Sequence, residues 1–105
     1  MKKNDRLYFQ PPMVESTALL GAAIRMARTD SELSLEQAAK ICGISKNALQ
    51  NLELDRQPTS FTNVLAVTQA LGITIFAVPS SLKSEVNKEI CRILAEDHSE
   101  KPAAQ

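Results

Sequence analysis

Between residues 34 and 56 the chain sets out hydrogen-bonding side chains in an order that could read the edge of another molecule. Ser45, Lys46 and Asn47 stand together, with Gln50 one helical turn on and Asn51 and Arg56 beyond it. A lysine ammonium can donate to guanine O6 and N7, and an Asn or Gln amide can pair with adenine N6 and N7. The same side chains could equally form an ordinary solvated helix face, so the elements that hold them decide between the two. Bond-breaking chemistry finds no residues here. The single histidine, His98, stands near the end of the chain, which leaves a nucleophile without a base. Gly21, Gly43 and Gly72 form no phosphate-cradling loop. Cys42 and Cys91 are far apart and have neither metal-ligand nor redox spacing; both are expected to be small buried apolar residues in a reducing cytosol. No catalytic residue, metal or cofactor is expected.

The elements around the polar set have clear start and stop signals. Ser34-Leu35-Glu36-Gln37 is a capping box, in which the Ser34 hydroxyl takes the Gln37 N–H and the Gln37 side chain returns to the Ser34 N–H. A short helix follows, with Leu35, Ala38, Ala39, Ile41 and Cys42 on its apolar side. Gly43 stands where a left-handed residue ends such a helix. Ser45 is then a second N-cap, opening a helix from Lys46 to about Leu54 that Asp55-Arg56-Gln57-Pro58 breaks. Two short helices joined by a glycine turn outline a helix-turn-helix. A steep helix crossing needs a small residue at closest approach, a left-handed turn residue and two apolar anchors a turn apart. Ala39, Gly43, Leu49 and Leu52 supply that ordered set. With Leu49 and Leu52 inward, Lys46, Asn47 and Gln50 point out.

The flanks complete a small domain. The 105 residues are 44% hydrophobic and 23% charged, a composition for one folded domain with an aliphatic core. No apolar run reaches the ~20 residues of a membrane span, and residues 1–13 lack the apolar stretch of a signal peptide. They read as a flexible arm holding Tyr8 and Phe9. Residues 14–78 read as the helix-turn-helix domain. A first helix over about 15–29 carries Leu19, Leu20, Ala23, Ile24 and Ala27 at helical spacing. Ser60 caps a fourth helix with Phe61, Val64, Leu65, Thr68 and Leu71, closed by Gly72. Residues 73–78, β-branched and aromatic and stopped by Pro79, predict a strand. In residues 79–96, Ser81 is expected to cap a last helix with a stripe of Leu82, Val86, Ile90, Ile93 and Leu94. Residues 97–105 read as a disordered tail.

Residues 17–72 resemble the helix-turn-helix domain of the phage repressor and Cro-like family. The resemblance rests on Leu33-Ser34, Ala38-Ala39, Gly43-Ile44-Ser45, Leu49, Glu53, Pro58 and Leu71-Gly72. It implies a mainly α, repressor-like domain of four to five helices, with one short strand for dimerisation and a C-terminal helix. The order of four helices and a strand, with Leu71-Gly72-Ile73-Thr74-Ile75 leading into the strand, is similar to HipB-type antitoxins. Those proteins pair the strand across a dimer axis and bind a HipA-type kinase toxin. Two positions depart from the family. Leu35 stands where it usually has a Gln that touches a phosphate and braces a base-reading residue, and Asp55 stands where it usually has Gly, so a different end is expected for the third helix.

The expectations that follow concern site residues, assembly and partners. In a helix-turn-helix the N-terminal residues of the second helix reach the base edges, which makes Ser45, Lys46, Asn47 and Gln50 the base-reading candidates. Ser34, Asn51 and Arg56, near helix ends, are the phosphate-contact candidates. Glu53 is expected to be a buried or half-buried acid bonded to backbone or to an arginine. Between Arg25 and Gln57 five bases meet five acids, so one copy should bind weakly and a dimer on two half-sites is needed. A lone strand leaves its N–H and C=O groups unpaired, so Ile73, Ile75, Phe76 and Val78 are the dimerisation candidates. The stripe on the last helix is expected to pack within that dimer rather than to dock another protein. The resulting expectation is a cytoplasmic operator-binding repressor, the antitoxin of a pair whose kinase toxin it neutralises. One rival is a stand-alone phage-type or restriction-modification control repressor. Another is a protein-interaction module without DNA binding.

Overall fold

A computed structural model describes residues 13–100, with side chains as far as residue 96. The arm expected over residues 1–13, with Tyr8 and Phe9, and the end of the tail from residue 101 lie outside the described residues, Met13 apart. Four helices build the unit Val14–Ile75: α1 (Thr17–Asp30), α2 (Leu35–Cys42), α3 (Lys46–Leu54) and α4 (Phe61–Ala70). Each is opened by a serine in extended backbone: Ser16, Ser34, Ser45 and Ser60. Their hydroxyl oxygens accept the N–H of Leu19, Gln37, Ala48 and Asn63 at 3.0–3.1 Å. Such a cap contributes about 1 kcal/mol to a helix end. The expected capping box is complete, since the Ser34 N–H also donates to Gln37 Oε1 at 2.9 Å.

α3 packs on both α1 and α2, and α2 also meets α4. The core between them is small and aliphatic: Ile24, Ala38, Ala39, Cys42, Leu49, Leu52, Val64 and Val67. The two α3 anchors are where the sequence puts them, Leu49 fully buried and Leu52 6% exposed. On α4 the expected Val64 and Thr68 are buried and Leu71 packs on the core, and Phe61, at 63%, is the one expected residue that is exposed. Val67 and Thr68 are the fully buried residues of this helix. A helix start whose first residue is already past the core has no use for a ring there. Ile41, assigned to the apolar side of α2, is also exposed, and so is Cys91, whereas Cys42 is buried. Burial pushes the Cys42 thiol up from its ordinary value.

α1 approaches α3 through a glycine. A Cβ on Gly21 would lie 2.5 Å from the carbonyl oxygen of Leu52 and 2.7 Å from that of Glu53. Nothing with a side chain fits between those backbones. Two turns further along α1, an ion pair ties it to the same end of α3. Arg28 donates from Nε and Nη2 to the two carboxylate oxygens of Glu53 at 2.6 and 3.0 Å. Its Nη1 donates to the Leu33 carbonyl at 2.9 Å. Glu53 is thus the buried acid the sequence indicates, with Arg28 as its partner.

The strand expected over 73–78 does not form in the chain. Residues 73–79 have no regular secondary structure, because a single segment with no paired neighbour cannot make a ladder. Ile73 instead closes α4, donating its N–H to the Thr68 carbonyl at 2.8 Å and packing on the core. From Phe76 onward the chain belongs to a second unit. A 3-10 turn, Ser80–Leu82, leads into α5 (Lys83–Glu100). Ser81 lies inside that turn rather than capping α5. α5 also continues past residue 96, because no glycine or proline interrupts the sequence before Pro102. On its polar side Arg92 donates to Glu89 and Glu96, and the Arg92 hydrogen bond holds the Glu89 carboxyl below the usual carboxylate range. Val86, Ile90 and Leu94 are half-buried, whereas Leu82 and Ile93 are exposed.

Gly21→Ala tests the close approach of α1 to α3. The methyl must push two backbone carbonyls aside, which is expected to cost ~1–3 kcal/mol and to lower the midpoint of urea unfolding. An unchanged midpoint would show that the helices sit further apart.

Candidate nucleic-acid interface

The site is built where α2 and α3 cross. Ala38 and Ala39 are buried at the crossing, 0% and 3% exposed, so the helices approach without a bulky side chain between them. Gly43 makes the turn at φ 77°, ψ 27°, left-handed backbone that a side chain would strain. The N–H groups of Gly43 and Ile44 both return to the Ala39 carbonyl, at 2.9 and 3.1 Å. Ser45 then starts α3 at once, and its hydroxyl is committed to the Ala48 N–H.

With Leu49 and Leu52 held inside, the opposite face of α3 is fixed. Lys46 and Asn47 are exposed on its first turn, and Gln50 and Asn51 are half-buried on the next. Asn47, Gln50 and Asn51 are spaced i, i+3, i+4 and so share a face. Ser34 is exposed at the start of α2, where its oxygen already serves the cap. The first turns of the two helices are neighbours: Lys46 Nζ lies 3.8 Å from Glu36 Oε2. That proximity puts Ser34, Ser45 and Lys46 at one end of the crossing. Arg56 is elsewhere. It follows the C-terminus of α3, about 12 Å further along at 1.5 Å per residue, and lines an open groove of about 310 Å³ with Thr17, Leu20, Leu52 and Pro58.

Two family departures have structural outcomes. Leu35, in place of the family's Gln, turns inward and packs against the core. Asp55, in place of Gly, nonetheless adopts the left-handed conformation, φ 55° and ψ 42°. The expectation of a different helix end is therefore corrected. The Arg56 N–H reaches the Asn51 carbonyl at 3.0 Å and the Asp55 N–H reaches Leu52 at 3.3 Å, as at a glycine-ended helix. Aspartate tolerates this region better than most residues, which is how the substitution is accommodated.

The sequence reading missed Glu36. An acid directly after a capping serine looks like an ordinary favourable charge at a helix N-terminus. Its partner is ten residues away on another helix, and no local spacing rule connects them.

The helix-turn-helix family matches residues 24–77, from the middle of α1 through the segment after α4. That span takes in the crossing, the glycine turn and the outward polar face. The chain belongs to the helix-turn-helix family. It is a DNA-binding transcription regulator of the phage repressor and Cro-like kind. No curated protein matches the chain. Among the described residues no helix is long and apolar enough to cross a membrane.

Asp55→Gly should relieve the left-handed strain at the end of α3. Against the entropy a glycine loses on folding, a net gain of ~0.5–1 kcal/mol is expected, read as a rise of a few degrees in Tm. A fall in Tm would mean that the Asp55 carboxylate makes a stabilising contact worth more than the strain.

Proposed function

We propose that the chain is a sequence-specific operator repressor that reads DNA with the first two turns of α3. The observation that carries this reading is the outward set of Lys46, Asn47 and Gln50 on a helix whose opposite side is anchored by Leu49 and Leu52. Ser45 presents the helix start, and its backbone and side chain complete the base-facing end. Ser34 and Asn51 contact phosphates on either side of the groove, and Arg56 reaches the backbone from the far end of α3. The assignments follow from the groove geometry of the motif and from the donor and acceptor patterns of the bases.

The functional form is a homodimer. One helix of nine residues covers a single half-site, and the formal net charge of the chain is zero, so a single copy lacks both reach and electrostatic attraction. Residues 73–78 supply the dimer contact by pairing with the same segment of a second copy. The lack of regular structure over 73–78 supports this, as do Ile75 and Phe76, 43% and 61% exposed; Ile73 and Val78 flank them. The biological role we favour is that of a cytoplasmic antitoxin, which holds a kinase-like toxin and represses its own operon. It rests on the likeness of the element order and of Leu71-Gly72-Ile73-Thr74-Ile75 to HipB-type proteins. A kinase-like reading frame beside the gene, captured by the purified protein, would support it. A phage or restriction-modification gene there would favour the stand-alone repressor.

Two measurements test this reading. Lys46→Ala and Gln50→Ala are each expected to cost ~1–3 kcal/mol on the selected site and to relax preference at one base pair. Arg56→Ala should weaken selected and scrambled duplexes alike. Variants of Lys46 and Gln50 that bind as the parent does would remove α3 from the groove. Assembly is tested by Ile75→Pro. No backbone hydrogen bond within the described residues involves the Ile75 N–H, so the monomer should fold as before while the paired ladder loses a donor. Sedimentation should show a shift toward monomer and DNA binding should fall; a tight dimer would place the interface elsewhere.

A further inference from the structure

We infer that Glu36 is a positioning residue that sets the specificity of the interface by holding the amine of Lys46. The inference rests on the assignment of Lys46 as a base-contacting residue. The observations are the 3.8 Å approach of Glu36 Oε2 to Lys46 Nζ and the exposure of both side chains, 77% and 55%. A lysine on a flexible four-carbon stem is a poor reader unless something restrains it. The residue the family uses as a brace is absent, since Leu35 turns into the core. Glu36, the next residue on the same helical turn, carries the carboxylate that reaches Lys46 instead.

The chemistry of the ammonium makes this contact compatible with DNA recognition. It has three donors and no acceptor. At 3.8 Å the Glu36 carboxylate attracts the ammonium without taking a hydrogen bond from it, so its donors stay available to a guanine O6 and N7 while the stem is already drawn to one side. On DNA without the matching base the protein is held by phosphates alone. There the Glu36 carboxylate cancels the charge of Lys46, so Lys46 adds nothing to the sequence-independent attraction. Glu36 therefore lowers non-specific affinity while preserving the specific contact. An exposed ion pair of this kind is weak for stability; its effect is on which DNA is bound.

The test uses the full-length protein, a duplex selected by it from a random-sequence pool, and a scrambled duplex of the same length. Affinities are measured from 50 to 200 mM salt for the parent, Glu36→Gln, Lys46→Met and the double variant. Glu36→Gln should bind the scrambled duplex several-fold more tightly, with the slope of log K against log salt steeper by about one per half-site. Its affinity for the selected duplex should stay level or fall, so the specificity ratio narrows. In the Lys46→Met background the same replacement should change the salt slope little. Equal effects of Glu36→Gln with and without Lys46 would show a plain repelling charge and overturn the inference. So would unchanged affinities for both duplexes. A parent that enriches no duplex and binds neither would instead defeat the DNA-reading assignment of α3 and this inference with it. Glu36→Ala, which also removes the carboxylate, serves as an independent replacement and should behave as Glu36→Gln does.

Discussion

The bidentate pair of Arg28 and Glu53 is the constraint on which the interface depends. It joins three pieces of chain at one point: α1 through Arg28, the turn before α2 through the Leu33 carbonyl, and α3 through Glu53. Both carboxylate oxygens are used and the guanidinium donates from all three nitrogens. The side chains are 12% and 3% exposed, so each charge relies on the other in place of water. Removing one partner of such a pair typically costs about 3–5 kcal/mol, a large part of the 5–15 kcal/mol that holds a domain together. A few residues back on α1, Gly21 lets the helix settle against the carbonyls of Leu52 and Glu53. Together the glycine and the ion pair fix the height and rotation of α3 against the body of the domain.

From that fixed α3 the rest of the interface follows. Rotation of the helix is set on its inner side by Leu49, Leu52 and Glu53, all buried, so the outer side has to be Lys46, Asn47 and Gln50. The start of the helix is set by Gly43 and Ser45, which end one helix and cap the next within three residues. No apolar residue beyond the anchors is needed. A helix of nine residues is held in place by its two leucine anchors, the close approach at Gly21 and the ion pair together.

The same division explains what the sequence discloses. The serine caps of α2, α3 and α4, the capping box, the left-handed Gly43 and the paired leucines of α3 are local patterns, and each is found where spacing places it. Whether Phe61 is covered along with Val64 and Thr68, and whether Val67 is buried as well, is not local. Phe61 and Val67 each fit a helical stripe, and only the arrangement of α2 and α3 shows which side is covered. Ile41 and Cys91 are overestimated for the same reason, since an apolar type says nothing of what is beside it. Residues 73–78 have strand composition, but hydrogen-bonded partners and not composition make a strand. Glu53 is legible as a structural acid, while its partner Arg28, 25 residues earlier, is not. Gly21 carried a usable signal, because a glycine inside a helix costs roughly 1 kcal/mol and usually marks a close approach.

Charge gives the last link between fold and recognition. The chain has as many acids as bases, which for a DNA-binding protein looks like a disadvantage, since basic residues supply most sequence-independent affinity. Arg28 is spent on Glu53 inside the domain, and Lys46 lies beside Glu36 at its surface. Long-range attraction to phosphates is thereby kept low. On the reading proposed for α3, discrimination then comes from short-range hydrogen bonds, whose strength falls steeply with distance and angle. Such bonds repay only a rigid presenting helix. The buried ion pair behind α3 and the low net charge around it are thus two parts of one arrangement: the first supplies the rigidity that the second makes necessary.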